Sequence, residues 1–248
     1  MDLKNVNCFL IRGLGRELRQ WGKFKDLLEK ECASVHCLEL PGFGSKIDEE
    51  SPSKIGDYVD NLRNEFLEIQ SPGKQSIICS VSLGGMITLD WLNRYPSDFD
   101  LGCVMNSSAG NLSGPLDRLT LEGFTSMAGT LSLKTRREIE RNVFRLVSNR
   151  YVDEKTVDDW AYYSEESPPE RANFFKQLLA GMLFRAPDSI QTPLLLLASK
   201  RDRMVDVKCS EDLATHYGAT IEYHLDAGHE LWLDDPRWVI QRLQNFNL

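Results

Sequence analysis

The chain has 248 residues, 42% hydrophobic and 27% charged, ordinary for a globular protein and long enough for one α/β domain with an inserted subdomain. Its 37 acidic and 29 basic residues leave a formal net charge of −8, which argues against nucleic acid as the main partner because phosphate binding needs a basic face. No apolar run reaches membrane-spanning length, and no small-residue cleavage site follows the first one, so a cytoplasmic protein without membrane insertion is expected.

The first apolar run, residues 6–11 (VNCFLI), reads as a strand, and residues 17–30 as a helix. Residues 34–40 (SVHCLEL) read as a second strand, closed by Pro41-Gly42-Phe43-Gly44. A helix over 53–70 carries Ile55, Tyr58, Val59, Leu62, Phe66 and Ile69 at helical spacing. A strand at 75–81, a helix at 84–95 and a strand at 101–106 follow. The strands are near-continuous apolar runs, the pattern of a parallel sheet covered by helices on both faces. Residues 110–188 hold no convincing strand and read as helices at about 115–129, 133–149, 153–164 and 169–184. The strand rhythm resumes at 193–198, then a helix at 207–217, a strand at 219–225 and a last helix at 235–246. The division expected is a core of residues 1–109 and 189–248, interrupted by a helical cap over 110–188.

Cys8, Cys37, Cys79 and Cys103 fall inside apolar runs, while Cys32 and Cys209 lie outside them. No C-x-x-C pair or His/Cys cluster at zinc spacing is present, so reduced core thiols are expected and no metal.

Chemistry concentrates at Cys79-Ser80-Val81-Ser82-Leu83-Gly84-Gly85, where an apolar strand meets a helix. A serine on that tight turn is held in a strained backbone and exposed at the sheet edge, and its neighbours must be small because helix and strand pass closely. The hydroxyl needs a base. Of four histidines, His36 lies mid-strand, His216 in a surface-type helix and His224 in the last strand. His229 alone stands in a loop just beyond a strand's carboxyl edge, where doubly wound sheets place their sites. Asp202 follows the strand at 193–198 and gives the chain order Ser…Asp…His; Asp206, the competing carboxylate, suits a cap on the helix starting near Val207. The candidate triad is therefore Ser82, Asp202 and His229. A developing oxyanion needs preorganised N–H donors, for which Leu83 and Leu14 are the candidates, the latter in the loop Arg12-Gly13-Leu14-Gly15-Arg16. That G-x-G is no dinucleotide fingerprint, since its third glycine is missing.

These segments, with Leu40-Pro41-Gly42-Phe43-Gly44-Ser45 and Gly228-His229, resemble the α/β-hydrolase superfamily over nearly the whole chain, and within it the small cap-bearing carboxylesterases of the pimeloyl-ester esterase type. The resemblance implies a doubly wound, mostly parallel sheet of about six strands, without the family's first hairpin, under a helical cap. The family commonly has histidine where Arg12 stands and glycine where Ser80 and Ser199 stand. Arg12 admits two readings: a contact for an anionic substrate group, or an internal partner of a nearby carboxylate. Arg12, Gly13, Trp160, Phe175 and Trp232 are the candidate substrate-binding residues, the aromatics as lining of an apolar pocket under the cap.

The expected activity is hydrolysis of a small, partly apolar carboxylic ester through an acyl-enzyme, by a monomer or homodimer that needs no cofactor. The same triad also serves thioesters, lactones, carbon–carbon bonds and acyl transfer, and a non-catalytic ligand receptor on this fold is the alternative of another class.

Overall fold

A computed structural model describes residues 1–70 and 73–247. Six parallel strands form one sheet: β1 (Val6–Ile11), β2 (Ser34–Leu38), β3 (Gln75–Val81), β4 (Leu101–Met105), β5 (Leu194–Ser199) and β6 (Thr220–His224), in the order β2-β1-β3-β4-β5-β6. The chain moves outward from β1 to β2, then crosses back to β3 and proceeds to the other edge. The reversal between β1 and β3 is the switch point where such sheets leave a crevice at their carboxyl ends.

Apart from the exposed Gln75 at the start of β3, the central strands are buried along their length. Their side chains still alternate between two cores. Cys8, Leu10, Cys79, Val81, Leu195 and Leu197 face α1 (Gly22–Glu31) and, in the last helical stretch, α11 (Pro236–Asn245). Phe9, Ile11, Ile78, Val104, Leu194 and Leu196 face α2 (Ile55–Ile69), α3 (Leu83–Arg94) and α9 (Val207–Tyr217). Helix α2 buries Ile55, Tyr58, Val59, Leu62 and Phe66, the stripe its 3.6-residue period dictates.

The helix expected over 17–30 is broken: a 3-10 turn at Leu18–Trp21 precedes α1, because Gly22 adopts a positive φ of 46°. The stretch expected at 115–129 is likewise split into α4 (Pro115–Arg118) and α5 (Leu121–Gly129), the latter started by the Thr120 side chain accepting from Gly123 N–H. Helix α6 (Arg136–Val147) starts on a capping box of Thr135 and Glu138, and α7 (Glu154–Glu166) on Asp153. Helix α8 (Arg171–Leu183) completes the inserted block. One short helix escaped the periodicity altogether, α10 (Leu231–Asp234), directly after His229.

The inserted block does not sit apart from the sheet. Phe144, Leu146, Val147, Val157 and Trp160 belong to the same buried cluster as Trp21, Phe24 and Trp232. No helix among the described residues is long and apolar enough to cross a membrane.

Candidate active site

Register aligns the carboxyl ends of the strands: Ile11 pairs with Ser80, Val81 with Met105, Met105 with Leu197, and Ser199 with His224. Every loop that leaves this edge therefore starts from one line, and Gly13, Ser82, Asn106, Asp202 and His229 all lie just past it.

Ser82 sits on the turn from β3 into α3 with φ 55° and ψ −117°, a conformation that a non-glycine residue adopts only under constraint. The constraint comes from both sides. Its N–H donates to Met105 O at 3.0 Å, and its carbonyl accepts from Ser107 Oγ at 2.8 Å. The turn is possible because α3 runs against backbone: a methyl at Gly84 would lie 2.6 Å from the carbonyl oxygens of Ile11 and Arg12, and one at Gly85 would meet Ser107 Cβ at 2.6 Å. Ser80, where the resemblance implies glycine, accepts at 2.8 Å from Thr88 on α3, which satisfies its hydroxyl in the strand–helix contact.

His229 is 2% exposed, and its Nδ1 lies 2.7 Å from Asp202 Oδ2. The other carboxylate oxygen of Asp202 accepts from the N–H groups of Met204 and Val205 at 2.7 and 3.0 Å, which fixes the carboxylate's direction. Asp206 instead accepts from Lys208 N–H at the start of α9. Burial presses the imidazole toward its neutral form, but the charges of Asp202 and Glu230 outweigh it and hold the His229 pKa above its ordinary value. With Nδ1–H committed to Asp202, Nε2 is left to accept a proton. No hydrogen bond joins His229 to Ser82 Oγ among the described residues; such bonds commonly tighten only on substrate binding.

Asn106 ties the two halves of the site together. It follows β4 with φ 45°, between Met105 and Ser107, which hold Ser82. Its Nδ2 donates to His229 O at 2.7 Å, and its Oδ1 accepts from Ser199 N–H at 2.8 Å. Ser199, another expected glycine position, uses its Oγ to bind Ala227 O in the histidine loop. The chain gives no spacing signal for Asn106, since its partners are remote in sequence; a positive φ at an asparagine is visible only in coordinates.

The oxyanion-loop candidates meet the serine directly. A methyl at Gly13 would lie 3.2 Å from Ser82 Cβ. Among the described residues the N–H groups of Leu14 and Leu83 reach no protein acceptor. Leu83 opens α3, so its N–H also carries the positive end of the helix dipole.

Four of the substrate-contact expectations need correction. Arg12 is fully buried and makes a bidentate pair with Glu230 at 2.6 and 3.0 Å, its guanidinium between the rings of Trp21 and Trp232. It is neutralised internally and offers no charge to a substrate. Trp232 is 2% exposed and packs on Trp21 and Phe24, on the core side of that pair. Trp160 is buried against Phe144 and under the guanidinium of Arg16. Phe175 is 60% exposed on the outer face of α8. Its neighbour Phe174 takes the inward position: a methyl at Gly15 would lie 3.0 Å from its ring. One helical residue turns the side chain by about 100°, which decides between pocket and solvent.

A cleft at the opposite end of the sheet, lined by Leu195, Thr220, Glu222 and Arg242, lies at the amino ends of β5 and β6, away from these loops.

Sheet order, strand–serine–helix turn and the loops beyond β5 and β6 define an α/β-hydrolase. Within that superfamily the chain belongs to the family described as serine aminopeptidase, S33, which it matches over residues 4–236. It is thus a hydrolase by descent. Its backbone is similar to that of a lipase-esterase related protein from Clostridium acetobutylicum ATCC 824, with a TM-score of 0.74 at 17% identity over 98% of this chain and 95% of that one. It is also similar to a putative aryl esterase from Burkholderia cenocepacia (TM-score 0.70, 17% identity, 99% and 90% covered). A third similar structure is the N-formylmaleamic acid deformylase of Pseudomonas putida S16 (TM-score 0.73, 15% identity, 96% and 91% covered). Among curated proteins none matches the chain by sequence.

Proposed function

We propose that this chain hydrolyses a carboxylic ester of a small, uncharged, partly apolar substrate through an acyl-enzyme on Ser82. The observation that carries the reading is the buried 2.7 Å pair of His229 and Asp202, held beside the strained Ser82 turn by the Met105–Ser107 segment. In the proposed reaction His229 Nε2 takes the Ser82 proton as Oγ attacks the carbonyl carbon. The N–H groups of Leu14 and Leu83 receive the oxyanion, and the imidazolium then gives its proton to the leaving alkoxide. Water, deprotonated by the same nitrogen, releases the acid and restores the serine.

The family is named for a peptidase, and an aminopeptidase needs an anion for its substrate's terminal ammonium. The buried carboxylates near these loops are already engaged: Glu140 with Arg16, Glu230 with Arg12 and Glu17 with Arg19, while Glu39 spends its oxygens on Leu18 and Ser45 N–H and burial pushes its carboxyl up to about 7. That favours a neutral ester over a peptide terminus.

Hydrolysis of p-nitrophenyl esters of increasing acyl length, by wild type and Ser82→Ala in parallel, tests this. Ester turnover is expected in wild type and a loss of at least ~10³-fold in the variant, the usual consequence of removing a nucleophile. Equal activity in both would remove Ser82 from the reaction. Turnover of aminoacyl anilides but of no ester would return the chain to peptidase chemistry.

A further inference from the structure

Helix α8 lays three residues of one face, Phe174, Gln177 and Gly181, over the loops that carry the candidate oxyanion donors. Phe174 meets Gly15, and a methyl at Gly181 would lie 3.2 Å from Leu83 Cδ1. Gln177 stands between them, with 0% of its surface exposed. Its Oε1 accepts from Gly15 N–H at 2.8 Å, which fixes the orientation of the amide, since the reverse rotamer would set two donors against each other. The Nε2 group therefore points away from Gly15, and it is buried without a partner among the described residues.

An amide donor left buried and unpaired is costly, and a leucine or methionine would fill the same space without that cost. Other unpartnered donors nearby are packed against rings: Trp21 Nε1, Trp232 Nε1 and Arg12 Nε among one another, and Arg16 Nη2 on a guanidinium that pairs with Glu140 and stacks on Trp160. Gln177 instead reaches the oxyanion loop from α8, bonded to Gly15 beside Leu14 and one turn from Gly181, which lies against Leu83. A site built to satisfy such a donor discriminates strongly against substrates that lack the acceptor.

We propose that Gln177 is a specificity-determining residue, and that its Nε2 donates to an oxygen acceptor (carbonyl, ether or hydroxyl) carried by the substrate close to its scissile carbonyl. This rests on the ester-hydrolase reading above. The preferred substrate is then an oxygen-substituted acyl or alkoxy ester rather than a plain alkyl one.

The test uses matched p-nitrophenyl esters, each alkyl chain paired with its oxa analogue, with the oxygen moved outward one position at a time. Wild type, Gln177→Leu and Gln177→Met are compared as the ratio of oxa to alkyl kcat/KM, each corrected for spontaneous hydrolysis. One oxa position is expected to be favoured by ~10-fold or more in wild type, and both variants should bring that ratio to about one. The variants also take the acceptor from Gly15 N–H, but that loss affects both members of a pair and cancels in the ratio. Two variants of different shape guard against a single misfolded one. A ratio unchanged by both variants, or no oxa preference in wild type, would reduce Gln177 to a support for the loop and overturn the inference while leaving the Ser82 mechanism standing. Absence of any Ser82-dependent ester hydrolysis would instead bring down the functional reading and the inference with it.

Discussion

At the scale of single residues, Arg12 and His229 show how burial changes what a charge is for. Arg12 and Glu230 neutralise each other behind the oxyanion loop, and through them the loop after β1 is tied to the residue next to His229. Removing one partner strands the other in a dry environment. Arg12→Met or Glu230→Leu alone should each cost roughly 3–5 kcal/mol, whereas the double variant should recover most of that, since a buried pair can often be exchanged for apolar packing. Urea unfolding of the four proteins measures this, and additive single losses would show that the pair is not coupled. His229 makes a prediction about pH. Burial lowers its pKa, Asp202 and Glu230 more than offset that, and the net shift is upward from 6.5. In the proposed reaction only the neutral imidazole accepts the serine proton, so kcat/KM should rise with pH through a midpoint above 6.5. The stability contribution has the opposite slope: a raised folded-state value means that the stabilisation is complete below 6.5 and is lost as pH climbs through the folded pKa. Asp202→Asn should remove the upward shift and lower kcat/KM by ~10³–10⁴-fold, so a variant whose pH profile keeps the wild-type midpoint would refute the assigned pairing.

Among the secondary elements, what could be read in the chain was what is local. Six apolar runs, one serine turn and the order of three side chains carry their own periodicity, so strands, α3 and the neighbourhood of Ser82 were legible. Boundaries moved where a single backbone choice intervened, as at Gly22, and held where a side chain caps the helix locally, as Asp206 caps α9 at Val207. The rest depended on contacts between remote segments, which leave no period to detect: Asn106 with His229, Gln177 with Gly15, Arg12 with Glu230. The direction of Phe174 against Phe175 likewise needed the rotation of α8, which pattern alone does not supply. Two substitutions test the clasp and the close helix approach. Asn106→Gly keeps the positive φ but removes both side-chain bonds, leaving Ser199 N–H and His229 O unpaired at roughly 1–3 kcal/mol each, and Asn106→Ala should cost more because alanine resists that φ. Thermal melts of the two variants separate backbone from bonding, and equal melts would leave the backbone with no part in it. In Gly84→Ala the clash is with two backbone carbonyls that cannot rotate away, so α3 must shift, at ~1–3 kcal/mol or more. Because Ser82 opens α3, activity should fall further than the loss of folded protein explains.

For the molecule as a whole, the question is whether the inserted block is a separable lid. Its middle turn, residues 147–150, is bonded to both loops of the candidate site. Gly228 and Asn149 N–H groups donate to one Asp234 oxygen at 2.7 and 2.9 Å, Ser148 Oγ binds the other, and Glu230 N–H donates to Val147 O at 2.9 Å. Asn149 Nδ2 reaches the carbonyls of Arg201 and Asp226 at 3.0 and 3.1 Å, and Arg203 donates to Ser148 O at 2.9 Å. Beneath these bonds, Phe144 and Trp160 of the block share a core with Trp21 and Trp232. A segment that shares both its core and its hydrogen bonds with the sheet loses both if it opens alone, which couples α6 and α7 to the rest of the fold. Heating should therefore give one transition, coincident by far-ultraviolet circular dichroism and by tryptophan fluorescence. Asp234→Ala, which frees Gly228, Ser148 and Asn149 at once, should move that single transition down by several degrees without splitting it, and should depress kcat together with it as the histidine loop loses its anchor. Two separated transitions in wild type would mean that the block melts on its own. Motion that admits substrate would then belong to the whole cap, whereas a single transition points to α8, which touches the loops through the Phe174–Gly15, Gln177–Gly15 and Gly181–Leu83 contacts.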